Sequence, residues 1–498
     1  VALRMGALPW PTVFVTVLSM AVLGKAKGST LQEINCTHTL MSAGAMVSGG
    51  LAFTLPGLWM LDSSADIPLI SIMAIAIAGA VLGTLFTVIF RRTFIEKENL
   101  PYPNGTAAYK TLIAGKEGKG APILFTSLGA SALFTLIRDG LGKIPAVLTL
   151  FKGSALFPSL AVWVSPMALG IGAIIGPVLS LTWLLGCVIG YFVLTPLGLA
   201  TGLFQSMAEA DAVRSNLGIG LMIGTGLGVA IKAVVTLIRQ KKSKSAGSMP
   251  RRTLVIMLVL ALMTMLLLAV FTEITIPECL LLIVGVYLAT YLSGMLTGQT
   301  GVNPMEIFAI LVLLGISAVL SPSLAAAFSI AGVVAVACGL TGDVMNDLKS
   351  GSLIGTEPRY QIIAEGIGGI IGAVIAALSL IVLKEGMGGF GSPELPAPQA
   401  AAVAAMATGL ESPAAFFIGA AIGIVLFLLR VPSATIGLGV YLPTYISSAM
   451  ALGAVIMAAV KKAMKDKGKA DETASLVSSG LLGGEGITGV IIAIFSMF

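Results

Sequence analysis

The chain has 498 residues, of which 29 are Lys or Arg and 23 are Asp or Glu, so only 10% are charged, against roughly 25% in soluble domains. Hydrophobic residues make up 57%, Gly fills another 60 positions, and the mean hydropathy is +1.01. So little polar surface excludes a soluble enzyme, a nucleic-acid binder and a disordered scaffold. The apolar stretches are continuous and not ten-residue alternations, which excludes a β-barrel and predicts an all-α, polytopic integral membrane protein.

Apolar runs of spanning length fall near 9–24, 38–61, 67–90, 121–138, 155–175, 177–200, 217–238, 253–271, 275–293, 304–320, 323–341, 362–383, 413–430, 434–459 and 476–498, with a shorter Ala-rich run at 396–410. They predict about 14–16 transmembrane helices in a single transporter domain over 1–498. Several are broken by Pro or Gly, which membranes tolerate where the freed backbone is buried in protein or lines a cavity. The gap 91–120 reads as a loop with an amphipathic or re-entrant piece. Leu169–Gly176 echoes Leu217–Gly224, a match short enough to be either an internal repeat or chance.

Basic loops stay on the cytoplasmic side. Loop 239–252, with Arg239, Lys241, Lys242, Lys244, Arg251, Arg252 and no acid, is expected there, as are 91–120 and 343–361. By the same parity residue 9 lies outside, so an additional helix upstream of Val1 is expected. The expected location is a cell inner (plasma) membrane.

Gly79/Gly83, Gly186/Gly190, Gly220/Gly224/Gly228, Gly368/Gly372 and Gly419/Gly423 put small residues on single helix faces and predict close helix packing. The four cysteines show no paired spacing and read as small buried hydrophobes. A single histidine, His38, allows no His-based metal site or triad, and reads as an interfacial residue or a proton sensor.

Intramembrane charges are costly, so each is a candidate for function. Glu485 lies in Ser478–Gly486, Glu365 a turn inside a segment, and Glu306 after Asn303-Pro304, where it would stabilise a helix N-terminus. Asp343 and Asp347 are four residues apart, on one helix face. An intramembrane aspartyl protease would need a Gly-x-Gly-Asp stretch and a Tyr-Asp pair; Gly339-Leu-Thr-Gly-Asp343 is one residue too long, and the chain has no Tyr-Asp. Three Pro/Gly clusters, 100–106, 298–304 and 393–400, offer broken backbone to a polar ligand at mid-membrane.

These stretches resemble the oligopeptide transporter family, which includes the Yellow Stripe-like carriers. Ser29–Asn35 with Thr39–Gly44 and Phe53–Pro56 is similar to the family's early segment. Leu100–Ala107 resembles its Pro-Tyr-Pro-Ser-Gly-Thr-Ala loop, with Asn104 where Ser is common. Gly301–Met305 resembles its Asn-Pro-Met turn. Gly342–Gly351 followed by Gly355–Gln361 resembles its most specific motif, and Gly439–Pro443 and Ser479–Glu485 complete the set in order. The resemblance lies nearer the Yellow Stripe-like and prokaryotic branch.

The resemblance implies a proton-coupled, secondary active importer of short oligopeptides or peptide-like metal chelates, and no enzyme. No ATP-binding stretch is present in the sequence, so an ion gradient would drive accumulation. The expected coupling residues are Glu485, Glu33 and Asp343. Asn35, Tyr102, Asn104, Gln299, Asn303 and Tyr441 are expected to bind substrate. Asp347, Lys349 and Arg359 are expected to form a gate, Lys349 and Arg359 neutralising Asp347 and Glu357. No metal ligand or cofactor is expected. The partners are the substrate, protons and the bilayer, without nucleic acid and with a homodimer left open. The alternatives are a passive channel and, more remotely, the protease.

The orientation has a direct check. In a chain whose native cysteines are replaced, a single Ser243→Cys is expected to react with an impermeant maleimide in inside-out vesicles only. Reaction in intact cells reverses the topology.

Overall fold

The computed structural model describes residues 28–115, 120–153, 159–239, 251–300, 303–387, 389–392, 395–408, 412–463 and 467–495, with scattered positions before residue 24. Most of the expected run 9–24, and the tips of the expected basic loops at 116–119 and 240–250, lie outside the described residues.

The fold is all-α and polytopic. Among the described residues eight helices are long and apolar enough to cross a membrane, and three more apolar helices are shorter. Helix α1 (Leu31–Ala52) is followed by a short α2 (Pro56–Leu61), and α3 spans Leu69–Arg91. The gap expected to hold a re-entrant piece continues α3 as a π-helical turn, Arg92–Lys97, and then forms α4 (Pro103–Gly115). Between them Asn99 (φ 46°) and Tyr102 (φ 41°) turn through left-handed backbone, a costly conformation for non-glycine residues that surrounding contacts must hold.

Helix α5 (Gly120–Thr135) ends in a π-helical turn, Leu136–Gly140. A two-stranded antiparallel hairpin follows, β1 (Val147–Phe151) with β2 (Leu160–Trp163), pairing Val147 with Trp163. This corrects the start of the run expected over 155–175, whose helix, α6 (Pro166–Cys187), begins only after Ser165 caps it. Gly176 (φ 81°, ψ 173°) splits α6 just before Pro177, where two runs were expected to meet; only glycine takes that backbone cheaply. A π-helical stretch, Val188–Leu194, and α7 (Thr195–Ala200) continue it.

The remaining helices are α8 (Met207–Arg239), α9 (Arg251–Phe271), α10 (Ile276–Thr300), α11 (Met305–Ser317), α12 (Leu324–Ile354), α13 (Pro358–Gly386), α14 (Pro398–Thr408), α15 (Pro413–Leu428), α16 (Ser433–Tyr441), α17 (Thr444–Ala463) and α18 (Lys467–Phe495). The expected run 434–459 is thus two helices, because Pro443 cannot continue the hydrogen-bond ladder of α16.

Helix α12 is the axis. All residues from Ala326 to Gly351 are buried, enclosed by α1, α3, α4, α10, α11 and α13. A second group of helices packs α8 on α15 and α16, α6 on α16, α17 and α18, and α18 on α5. Helix α13 shows how the bilayer is met: Gly368 and Gly372 face α1, while Ile363, Ile367, Ile371 and Ile375 are exposed as an apolar outer face.

The glycine pairs sit where helices approach most closely. Gly79 and Gly83 lie against Val336 and Ala337 of α12, and Gly372 against Gly44 of α1. Gly220 and Gly224 meet Phe416 and Ala420, with Gly419 and Gly423 facing back onto Leu217 and Leu221. Gly186 abuts Ile436, and Gly439 abuts Trp183. The echo pair shares this function, Gly172 packing on Met450 and Gly220 on Phe416.

Gly372→Val should therefore destabilise the fold by about 1–3 kcal/mol, as overpacked cores do, read as a lowered midpoint in thermal unfolding in detergent. At Gly315, a helical position with open space around it, substitution by Ala should raise stability by about 0.5–1 kcal/mol. Equal effects at the two sites would contradict the close-packing account.

Candidate functional site

The i, i+4 spacing of Asp343 and Asp347 puts both carboxylates on the face of α12 that meets α1. Helix α1 answers with a polar face of its own, Asn35, His38, Thr39 and Ser42, every one buried. The Ser42 hydroxyl donates to Asp343 Oδ2. His38 Nδ1 stands 3.3 Å from Asp347 Oδ1, both side chains almost fully enclosed. From α13, Glu365 is completely buried beside Thr84 and within electrostatic range of both aspartates. Three carboxyl groups and one imidazole thus share one enclosed region. Burying that much acid against one basic group is expensive unless protons or hydrogen bonds compensate it.

Toward the turn that joins α12 to α13, neutral groups take over. Ser350 Oγ donates to Asn35 Oδ1 at 2.7 Å, and Asn35 Nδ2 donates to Thr356 Oγ1 at 3.4 Å. Gln361 Nε2 donates to the Asp347 carbonyl at 2.8 Å and to Thr39 Oγ1 at 3.2 Å. Asn35, expected to bind substrate, is here fully enclosed by this lock.

Two of the Pro/Gly clusters converge on the same axis. The Tyr102 hydroxyl donates to the Gly294 carbonyl at 2.9 Å, and its backbone N–H to the Gly298 carbonyl at 2.9 Å. Asn303 Oδ1 accepts from Ser293 Oγ, and its Nδ2 donates to the Cys338 carbonyl, each at 2.8 Å. Asn104 is half-buried at the start of α4, where the N–H of Gly105 donates to Asn346 Oδ1 at 3.0 Å. Tyr102 and Asn303 therefore fix the broken backbone onto α10 and α12. The side chain of Gln299 and part of the 393–400 cluster (Pro393 and Glu394) lie outside the described residues.

The expected gate is arranged differently. Asp347 faces His38, while Lys349, two residues on and so on another side of the helix, donates to Asn99 Oδ1 at 2.6 Å. Arg359 and Glu357 are exposed at the α12–α13 turn. The expected neutralisation of Asp347 by Lys349 is thus corrected, because residues two apart on a helix do not face each other.

Glu33 is exposed at the N-terminus of α1. Its carboxylate accepts from the Thr30 N–H at 2.7 Å, and its own N–H donates to Thr30 Oγ1 at 3.3 Å, a capping box. That places it outside the buried cluster.

Glu485 lies well inside α18 and is enclosed in another place. Its Oε1 accepts from Arg138 Nη2 at 2.9 Å, and its Oε2 accepts from Ser165 Oγ and the Met167 N–H, each at 2.8 Å. The N-terminus of α6 favours a carboxylate there. Arg138 also grips Asp139 with two bonds of 2.6 Å. Glu485 thus touches a guanidinium, which it shares with Asp139, whereas Asp347 on α12 faces an imidazole.

Tyr441 sits at the end of α16 beside a second buried arginine. Arg214 Nη1 donates to the Val440 and Tyr441 carbonyls at 2.6 and 3.1 Å, its guanidinium lies 3.9 Å above the Tyr191 ring, and Nη2 pairs with Asp211 at 3.0 Å. Arg214 thereby takes up carbonyls left free where the helix breaks.

The sequence reading missed Arg138 and Arg214 as buried cations. Arg138 ends an apolar run, and that is its one signal in the sequence. Ser42 and Gln361 fall within family-like stretches but are not among the expected site residues, because their partners lie some 300 positions away or across a turn.

The chain matches the family model described as OPT oligopeptide transporter protein over residues 1–496. It is similar to a Haemophilus influenzae protein named "Putative oligopeptide transporter", 28% identical across 99% of this chain and 91% of that protein. With a match over nearly its entire length, the chain is a multi-pass membrane transporter and not an enzyme, and it belongs to the OPT oligopeptide transporter family.

Proposed function

We propose that the protein is a secondary active importer of short oligopeptides in the cell inner (plasma) membrane, driven by protons taken up at the α12 cluster. The family match supports the peptide. The observation that carries the coupling is the enclosure of Asp343, Asp347 and Glu365, with the imidazole of His38 against Asp347. Acid and imidazole chains inside membranes serve as proton relays. A proton bound there offsets charge that the enclosed site cannot otherwise balance, so it changes which arrangement of α1, α12 and α13 is favoured. Of the three coupling candidates, Asp343 fits this role. Glu485 acts as a paired strut between α18, α5 and α6, and Glu33 as a cap.

The substrate is a short peptide, or a metal chelate with the same amino and carboxylate groups. It meets the broken segments that Tyr102, Asn104 and Asn303 hold against α10 and α12, with Gln299 and Tyr441 as further candidates. Asn35 contributes through the lock already described. A homodimer is compatible with this reading and is not needed for it.

Two outcomes test it. In proteoliposomes an inward proton gradient should drive accumulation of labelled di- to tetrapeptide, and an ionophore that collapses the gradient should abolish accumulation while peptide counterflow continues. Uptake indifferent to the gradient removes proton coupling, and loss of counterflow points to a pore. Preference for a chelate in a competition assay would name the other substrate.

Asp343→Asn should lower gradient-driven accumulation by at least about fivefold, the lower end of typical coupling between linked sites, while counterflow persists. The same variant accumulating peptide at the wild-type level would take Asp343 out of the coupling.

A further inference from the structure

Glu306, in the first turn of α11, is an acid that the coupling account does not use. Its depth follows from how α10, α11 and α12 are tied together. Ser323, the N-cap of α12, donates through Oγ to Glu273 just ahead of α10, so the start of α10 and the link from α11 to α12 lie at one surface. From that surface α11 extends over only 13 residues. That is about 20 Å, against a hydrocarbon core of about 30 Å. The N-terminal end of α11 therefore stops inside the membrane. The packing agrees. Met305 lies on Gly339, the middle residue of the 31-residue α12, and Asn303 Nδ2 donates to the Cys338 carbonyl at 2.8 Å. Glu306 thus stands near mid-membrane, within electrostatic range of Cys338.

The direction it faces can be read from its own helix. Glu306, Ile310 and Leu313 share one face of α11, at i, i+4 and i+7. Ile310 and Leu313 are buried, whereas Glu306 is half-buried. That face is turned to protein and not to lipid, so the accessible part of the carboxylate borders an opening at the inner end of α11. The flanking residues place the opening. Met305 packs on α12 of the first group of helices, and Ile307 packs against Gly226 of α8 in the second. Glu306 therefore stands at the boundary between the two groups, beside the broken segment at Asn303-Pro304. Transporters bind substrate near the midplane at such boundaries and beside such breaks.

An intramembrane carboxylate is costly unless a cation or hydrogen bonds compensate it. The N-terminus of α11 favours the ionised form, which suits it to receive a cation. A short peptide brings one, because a free amino terminus is an ammonium at neutral pH. We propose that Glu306 binds the α-ammonium of the peptide and so makes a free amino terminus the recognised feature of the substrate. The inference rests on the peptide reading above and not on proton coupling. Asn303 also packs on Gly342, next to Asp343, so the ammonium site and the acid cluster lie at one level of α12 on different faces. Glu306 selects the substrate, and Asp343 takes the proton.

The test titrates the full chain in detergent with trialanine and with N-acetyl-trialanine near neutral pH, reading affinity from the ligand-induced rise in thermal midpoint. Acetylation removes the terminal charge. Wild type should bind trialanine at least about tenfold more tightly, as a charge-assisted hydrogen bond implies. Glu306→Gln keeps the shape without the charge, and should weaken trialanine while leaving the acetylated peptide unchanged. Glu306→Asp retracts the charge by one methylene and should keep an intermediate preference. The midpoint without ligand reads folding, and the Asp variant decides if the Gln variant does not fold. A helix-capping role alone would weaken both peptides alike. That result overturns the proposal, as does a wild type indifferent to acetylation or a deciding variant that keeps the wild-type preference. A wild type that binds neither peptide overturns the peptide reading itself, and this inference with it.

Discussion

Asp343 and Asp347 stand on a helix with no exposed face. From Ala326 to Gly351 the whole circumference of α12 is covered by other helices, so its carboxylates cannot reach water by snorkelling, as charges near helix ends do. Whatever balances them must come from packed neighbours. Ser42 and His38 supply part of it from α1, and Gln361 and Ser350 tie the same surfaces together. The identity of the residues on α1 and α13 that face α12 follows from this constraint.

Close packing makes the enclosure possible. Lipid offers no hydrophobic force between helices, so small residues must let backbones touch. Gly50 on α1 and Gly79 and Gly83 on α3 all press against Val336 and Ala337, and Gly339 admits Met305. The price is irregular backbone elsewhere. The turns at Asn99 and Tyr102 are strained, and they persist because Tyr102 and Asn303 anchor them to α10 and α12. The second group of helices buries two arginines: Arg138 meets Glu485 and Asp139, and Arg214 meets Asp211 and the free carbonyls of α16. Glu485 thus meets a guanidinium directly, whereas Asp347 meets the imidazole of His38 and Asp343 the hydroxyl of Ser42. That asymmetry is what singles out the α12 cluster for coupling.

Much of this was legible in the sequence. The scarcity of charge gave the class, the glycine spacings marked the close contacts, and the four-residue step from Asp343 to Asp347 placed both on one face. Gly176-Pro177, where two expected runs meet, marks a break that is real, whereas the run expected over 434–459 passes through the break at Pro443. What local pattern could not carry were partnerships across long separations. His38, which reads in sequence as an interfacial residue or a proton sensor, meets Asp347 more than 300 positions away, and Glu485, an expected coupling residue, meets Arg138 at a similar remove. Glu33 is an expected coupling residue, yet the Thr30–Glu33 spacing is itself a capping signature and could have been read as one. Lys349 was paired with Asp347 by proximity in sequence, although a two-residue step turns them apart. The hairpin at 147–163 was hidden because its strands are as apolar as the helices around them.

The central claim is that the α12 cluster changes its proton content as substrate binds. Infrared difference spectroscopy of the reconstituted protein reads this directly through the carbonyl stretch of protonated carboxyl groups. Peptide binding should change that band in the wild type, and Asp343→Asn should remove or shift the change, while Glu485→Gln should leave it in place. A peptide-induced spectrum without a carboxyl band, or one that Asp343→Asn leaves untouched and Glu485→Gln abolishes, would contradict the account.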